Sequence, residues 1–292
     1  MHISRTGVLI IFAWVRLTAQ APDRYSQLDP APYDPAKDVD MTLFVSHWKA
    51  SPPREEHGSL VVRDLLTRRE GTLLRPARPG AVLTQFSELA RASLYPNSST
   101  RREALADEQK VFYVESGRGK VTAGGTTADL GPGVAVLIPA RLEFSLANAG
   151  NETLNMYVIG ERVPSDFKQR SDMLVRDESR IPIQTTKSHW VNINRFLFTQ
   201  KDGFAVLSAM AAVYLDACTI AQPHATTPLG TDVLWIAMAG DIHTLLGKRL
   251  FKLEPGSAFK NPGDGKTYHA NINTSENQIK LIWARAVSYK GD

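Results

Sequence analysis

The stretch LGPGVAVLIPARLEFSLAN, Leu130–Asn148, returns as LEPGSAFKNPGDGKTYHANIN, Leu253–Asn273. Leu130-Gly131-Pro132-Gly133 and Leu253-Glu254-Pro255-Gly256 open the two copies 123 residues apart, and Pro139 and Pro262 keep that offset. Upstream, VFYVESGRG (Val111–Gly119) and LWIAMAGDI (Leu234–Ile242) have the same shape, with Gly117 and Gly240 again 123 apart. Asn148 and Asn273 are 125 apart, which places a two-residue insertion between Pro262 and His269. Self-similarity at a fixed offset means one structural unit written twice. Each copy consists of short runs rich in β-branched and aromatic residues, bounded by Gly, Pro or Asn, with hardly any sustained 3.6-residue period. That pattern predicts an all-β sandwich or barrel and argues against alternating βαβ units. Short helical stretches are expected only around Pro164–Met173 and Val191–Leu197, between the copies.

The wider composition agrees with a folded, non-specialised chain. Of 292 residues 43% are hydrophobic and 22% charged, which excludes collagen-like, disordered and disulfide-stapled classes. Thirty-four Lys and Arg stand against 30 Asp and Glu with no dense cationic run, so no nucleic-acid partner is implied. Cys218 is the single thiol and has no partner for a disulfide or a paired-cysteine zinc site. Residues 1–21 have the order of a secretory signal: Arg5, the apolar run GVLIIFAWV (Gly7–Val15), then Ala19-Gln20-Ala21. Nine apolar residues are too few to span a bilayer, which takes roughly 20. A periplasmic or secreted protein with no membrane span in the mature chain is expected. A buried N-terminal strand is the alternative, because Arg16 interrupts the run and Pro22 follows the small residues. Without the signal the net charge falls from +4 to +2 and carries little information. Residues 22–58 are rich in Pro, Asp and charge, broken by the apolar Met41–Trp48, and are expected to form an extended arm with short strands. No G-x-S-x-G occurs, so hydrolase chemistry of that kind is unsupported.

The repeated frame resembles the cupin superfamily of double-stranded jelly-roll barrels, whose two motifs are G-x5-H-x-H-x3,4-E-x6-G and G-x5-P-x-G-x2-H-x3-N. Two copies make the chain similar to a bicupin. The resemblance implies two tandem jelly-roll barrels with an extended N-terminal arm: signal 1–21, arm 22–74, first barrel 75–165, linker 166–199 and second barrel 200–292. In the first copy Gly133, Pro139 and Asn148 hold the second motif's spacing, but Arg141 takes its glycine position and Phe144 its histidine position. Lys110, with six residues between it and Gly117, occupies the glutamate slot. No histidine lies between His57 and His189, so this barrel is expected to be structural, with Phe144 filling the lost site. In the second copy Cys218 stands at the leading glycine, His224 at the first ligand position, Thr226 at the second and Val233 at the glutamate slot, with Asp232 beside it; the second motif keeps Gly256, Pro262, His269 and Asn273.

Family members bind a divalent metal through His, His, Glu and His; here His224 and His269 remain, and strand alternation turns Asp232 away from Val233 unless a bulge intervenes. The resemblance therefore implies either no cofactor or one divalent metal (Mn, Fe, Ni or Zn) on His224, His269 and Asp232 in the second barrel. His224 and His269 are the catalytic candidates, and Thr226, Trp235 and Tyr268 the ligand-contacting ones. A metal-free pair of imidazoles binding a small polar molecule, and a vestigial wet cavity, are the competing expectations. His57 in REEH is expected in a solvated turn, Lys110 pointing outward to solvent, His189 in inter-barrel packing, and His243 in reserve as a ligand. Fold likeness does not fix function. An exported binding or structural module stands beside a metal-dependent dioxygenase, decarboxylase or isomerase acting on a small organic acid, sugar or aromatic. A homodimer is plausible from exposed sheet edges.

Overall fold

The computed structural model describes residues 34–186 and 189–290. The expected signal, 1–21, and the first part of the arm lie outside them. Among the described residues there are 24 strands and, besides them, only short 3-10 turns. The chain is an all-β pair of jelly-roll barrels, each closed by one large and one small sheet.

The first barrel's large sheet runs, in spatial order, β13 (Leu174–Asp177), β10 (Val134–Ile138), β7 (Glu108–Ser116), β12 (Leu154–Arg162), β5 (Phe86–Leu94), β3 (Leu60–Arg68) and β2 (Arg54–Glu56), with β4 (Ala81–Leu83) alongside β3. Its small sheet is β6 (Ser98–Ser99), β11 (Phe144–Asn148), β8 (Gly119–Ala123) and β9 (Thr126–Leu130). The second barrel repeats the plan. Its large sheet is β1 (Val45–His47), β22 (Ser257–Asn261), β19 (Asp232–Ala239), β24 (Ile279–Ala286), β16 (Leu207–Leu215), β15 (His189–Thr199) and β14 (Gln184–Thr186). Its small sheet is β17 (Thr219–Ile220), β23 (Tyr268–Asn273), β20 (Ile242–Leu246) and β21 (Arg249–Leu253), with β18 (His224–Ala225) on β23.

The alternation along β7 shows why the barrels close and then dock. Phe112 and Val114 point into the first barrel's lumen beside Phe144, Leu146 and Met156. Val111 and Tyr113, on the other face, join a continuous apolar cluster with the second barrel that includes Leu207, Met210, Ile236 and Ile282. A strand that is apolar on both faces is the expected element between a lumen and an interface.

The repeat extends further back than the motifs show. Val45 of β1 pairs with Phe259 of the second barrel, while Val175 of β13 pairs with Val136 of the first. Phe259 and Val136 are the same position in the two copies. Each copy therefore begins with a strand given to the edge of the other barrel, and continues with a hairpin (β2–β3 or β14–β15) on its own. The stretches expected as arm and linker are thus equivalent pieces of sheet. Val191–Leu197, expected as a helical stretch, lies in strand β15, and Pro164–Met173 forms no helix. Buried Asn192 and Asn194 put polar residues on a covered face and hid the two-residue period.

Two buried carboxylates tie the barrels together reciprocally. Glu161, at the end of β12, accepts the backbone N–H groups of Ala205 (2.7 Å), Val206 (3.3 Å) and Leu207 (2.7 Å), and the side-chain amide of Gln109 (2.6 Å). Asp232, at the start of β19, accepts those of Thr84 (2.9 Å), Gln85 (2.7 Å) and Phe86 (3.0 Å), with the Lys260 ammonium 3.3 Å away. Both receive the chain entering the other barrel's β5 or β16. These amides lie just before or at the first residue of β5 and β16, and a carboxylate is the strongest acceptor they can be given.

Candidate functional site

His224 and His269 are brought together by register. β18 pairs with β23 so that the two residues are directly opposite, and their rings lie 4.2 Å apart between centroids at 57°. His224 Nδ1 lies 3.0 Å from the Gln222 carbonyl, which can only accept, so Nδ1 donates that hydrogen bond. His269 is buried. With Ala225, Thr226, Thr227, Val233, Trp235, Trp283 and Arg285 the pair lines a cavity of about 330 Å³. Val233 and Trp235 of β19 face Arg285 and Trp283 of β24 in register, so all four point to one side of the sheet. Trp283 and Arg285 carried no motif signal; their place follows only from this pairing.

The remaining expected site residues go elsewhere. Asp232 is adjacent to Val233 and therefore on the opposite face, where the Thr84–Phe86 amides hold it; it does not join the histidines. The metal set His224, His269 and Asp232 is corrected on that ground, since no bulge re-aims the carboxylate. Tyr268 precedes His269 and points outward, 55% exposed, away from the cavity. His243 alternates with buried Ile242 and Thr244 and faces outside, its Nδ1 3.4 Å from the Thr274 hydroxyl. The backbone of His189 lies in β15.

The first barrel's mouth is closed by charge. Lys110, expected to point to solvent, is 4% exposed and turned inward, with Nζ 2.6 Å from Glu88, 3.1 Å from Glu56 and 3.9 Å from Glu108. Burial pulls its pKa down, but the Glu88 and Glu56 carboxylates outweigh that and raise it above the ordinary lysine value. Burial pushes the Glu88 carboxyl upward against the pull of Lys110. The REEH segment is not a solvated turn: Arg54–Glu56 adds to β3 as β2 and folds over the mouth. Arg54 pairs with Glu56, with Asp64 (2.8 Å) and with Glu88 (3.1 Å). His57, buried, donates Nδ1–H to Glu103 and sets its ring edge against Phe144, centroids 5.2 Å apart. Phe144 is 1% exposed and packs on Phe112.

The frame keeps its backbone even where it has lost its glycines. Arg141 and Cys218, at the two motif glycine positions, retain φ of 63° and 56°, the left-handed region. At Gly240, φ 93°, a Cβ would come within 2.6 Å of Ile279.

Against this geometry the comparisons with known proteins can be set. Residues 91–160 match the family model described as a cupin domain. AerE from Microcystis aeruginosa superposes with a TM-score of 0.62 at 12% identity, covering 84% of this chain and 100% of that one. Residues 91–160 thus match a cupin domain, and the chain shares a two-barrel fold with that structure. Vicilin from Corylus avellana (TM-score 0.61, 13% identity, 84% of this chain and 85% of that one) and a Bacillus subtilis oxalate decarboxylase (0.61, 10%, 85% and 78%) share the fold. At these identities the likeness is one of architecture. No curated protein sequence matches significantly. The family match falls on the first barrel, so the cupin frame is recognisable there without any of its ligand residues.

The superfamily implies a metal in some members, and the donors here do not fit one. Thr226 and Val233 stand where a second imidazole and a carboxylate are needed, and among the described residues no group of three or more His, Cys, Asp or Glu is placed to hold a metal ion. No helix among the described residues is long and apolar enough to cross a membrane.

Proposed function

We propose that this bicupin is an exported small-molecule-binding protein in which the first barrel is a closed scaffold and the second holds a ligand without a resident metal. The observation that carries this is the contrast between equivalent positions. Phe144 plugs the first lumen where His269 lines a cavity in the second, and Lys110 is locked among three carboxylates where Val233 leaves space. Buried polar atoms around the second lumen support a polar ligand. Among the described residues the indole N–H of Trp235 has no hydrogen-bond partner, and neither do the amide oxygens of Asn261 and Asn271, which share sheet faces with Val233 and His269. Buried polar groups are nearly always satisfied in a complete assembly, by protein, water or ligand. Arg5, the run Gly7–Val15 and Ala19-Gln20-Ala21 support export.

The test copies the first barrel's own solution into the second. Tryptophan fluorescence of the full chain is followed against a panel of sugars, polyols and small organic acids. A member of the panel should perturb the emission of Trp235 and Trp283, and His269→Phe should abolish that response while the protein stays folded. A full panel without response, or a response indifferent to His269→Phe, overturns the assignment. Elemental analysis of untagged protein should find transition metal well below one equivalent, with no gain in melting temperature on adding Mn or Zn.

A further inference from the structure

The two barrels place one cation at the same strand pair and treat it in opposite ways. In the first, Lys110 of β7 is registered against Gly160 of β12; in the second, Val233 of β19 is registered against Arg285 of β24. The cation has changed strands, and its counter-charges have not followed. Lys110 meets Glu88, Glu56 and Glu108, whereas no carboxylate among the described residues is within ion-pair distance of Arg285. Among the described residues the guanidinium, which carries five N–H groups, reaches two acceptors, the Thr227 carbonyl at 3.1 Å and the Ser208 hydroxyl at 3.4 Å. The other titratable groups that line the cavity are imidazoles, and no Asp or Glu lines it. The partnerless indole N–H of Trp235 adds a further donor, and Trp235, Trp283, Val233 and Ala225 supply flat or apolar wall.

We infer that the second barrel takes a small carboxylate with a flat apolar body, its carboxyl paired with Arg285 and its body against Trp235 and Trp283; this rests on the cavity being a ligand site. A planar guanidinium with unused donors matches a carboxylate's two oxygens, which a neutral sugar cannot reproduce. The 330 Å³ of space lies at the small end of the range of ligand cavities, about 300–1,000 Å³, and suits one ring with a short substituent.

The experiment titrates the full chain with benzoate, with benzamide as its uncharged counterpart of the same shape, and with acetate as the charge without the body, read by calorimetry and tryptophan fluorescence. Benzoate should bind on the order of 10- to 100-fold more tightly than benzamide, the span expected of a charge-assisted pair, and more tightly than acetate. Arg285→Gln should erase the preference for benzoate over benzamide and Arg285→Lys should keep part of it, with circular dichroism and the melting temperature showing that each variant is folded. Equal binding of benzoate and benzamide by the unaltered protein, or a preference that survives Arg285→Gln, overturns the carboxylate and leaves the cavity standing. Acetate matching benzoate overturns the apolar body. If all three fail to bind, this inference falls; if the wider panel of sugars, polyols and acids is also silent, the ligand site falls with it.

Discussion

Replacing Glu161 by glutamine tests whether the reciprocal carboxylates hold the two barrels in place. One oxygen, Oε1, accepts from Ala205 N and Gln109 Nε2, and the other, Oε2, from Val206 N and Leu207 N. A glutamine keeps one acceptor and turns the other into a donor. With its oxygen at the Oε1 position, the new NH₂ faces two backbone N–H groups, Val206 at 3.3 Å and Leu207 at 2.7 Å, in a site closed to water. Each buried donor left unsatisfied costs about 1–3 kcal/mol. The longer Val206 bond loses less than the other, so Glu161→Gln should cost about 2–4 kcal/mol. Flipping the amide exposes Ala205 N to the same conflict, and Gln109 can turn its own oxygen to the new NH₂ only by giving up its bond to the Gly203 carbonyl (3.1 Å), so relaxation does not bring the cost to zero. Urea unfolding of Glu161→Gln against wild type, with the exposed Glu152→Gln as a control, measures it. A loss within about 0.5 kcal/mol of the control, the scatter of ordinary surface changes, would refute the claim that these amides depend on the carboxylate.

Three further outcomes are expected. Lys110→Met leaves Glu88 and Glu56 to share Arg54 in a covered mouth and should cost about 3 kcal/mol, the low end for breaking a buried pair, with part of it recovered in the double variant Lys110→Met/Glu88→Gln; thermal and urea unfolding of the pair decide it. Glu178 bonds Tyr113, Tyr214 and, at 2.9 Å, Lys280; burial pushes its pKa up, but these partners outweigh it and hold the carboxyl below its ordinary value of 4.5. Its stabilisation should therefore be complete above pH 4.5 and lost as pH falls through the lower folded-state value, and Glu178→Gln should flatten that acid limb in a stability-against-pH series. Cys218 is exposed and holds φ 56°; relief of the left-handed penalty, about 1–2 kcal/mol, less glycine's extra chain entropy, about 0.5–1 kcal/mol, means Cys218→Gly should raise stability by up to about 1.5 kcal/mol, whereas a lower melting temperature than wild type would count against strain at that site.

The barrels were legible in the sequence because their strands are covered on one or both faces, which leaves a two-residue period and Gly-Pro corners at fixed spacing. The exchanged strands were not. Val45–His47 and Leu174–Asp177 are half-buried throughout, and an edge strand is held by backbone hydrogen bonds that any side chains supply, so neither carries a pattern. His224 and His269 could be found because motif spacing places them. Arg285 and Trp283 could not, because they enter the cavity through cross-strand register with Val233 and Trp235, a relation between distant segments. Alternation alone turned Asp232 from the lumen, but nothing local showed that three amides from residues 84–86 awaited it. Lys110 looked like a solvent-facing lysine because its carboxylates come from three other places in the chain, Glu56 and Glu88 upstream and Glu108 two residues away on the same face.

The exchange of first strands also sets an order of completion during synthesis. Residues 54–162 can pair among themselves as soon as they emerge, yet β10 keeps an open edge until Leu174–Asp177 follows, and Val45–His47, made early, has no place until Ser257–Asn261 arrives near the end. A chain cut between the barrels would leave an unpaired strand edge on each half, an invitation to join the complementary edge of another molecule. The natural breakpoint of this protein is therefore not the boundary between its barrels: separated halves should be least aggregation-prone when the first fragment runs through Asp177 and the second is supplied with the segment carrying Val45–His47.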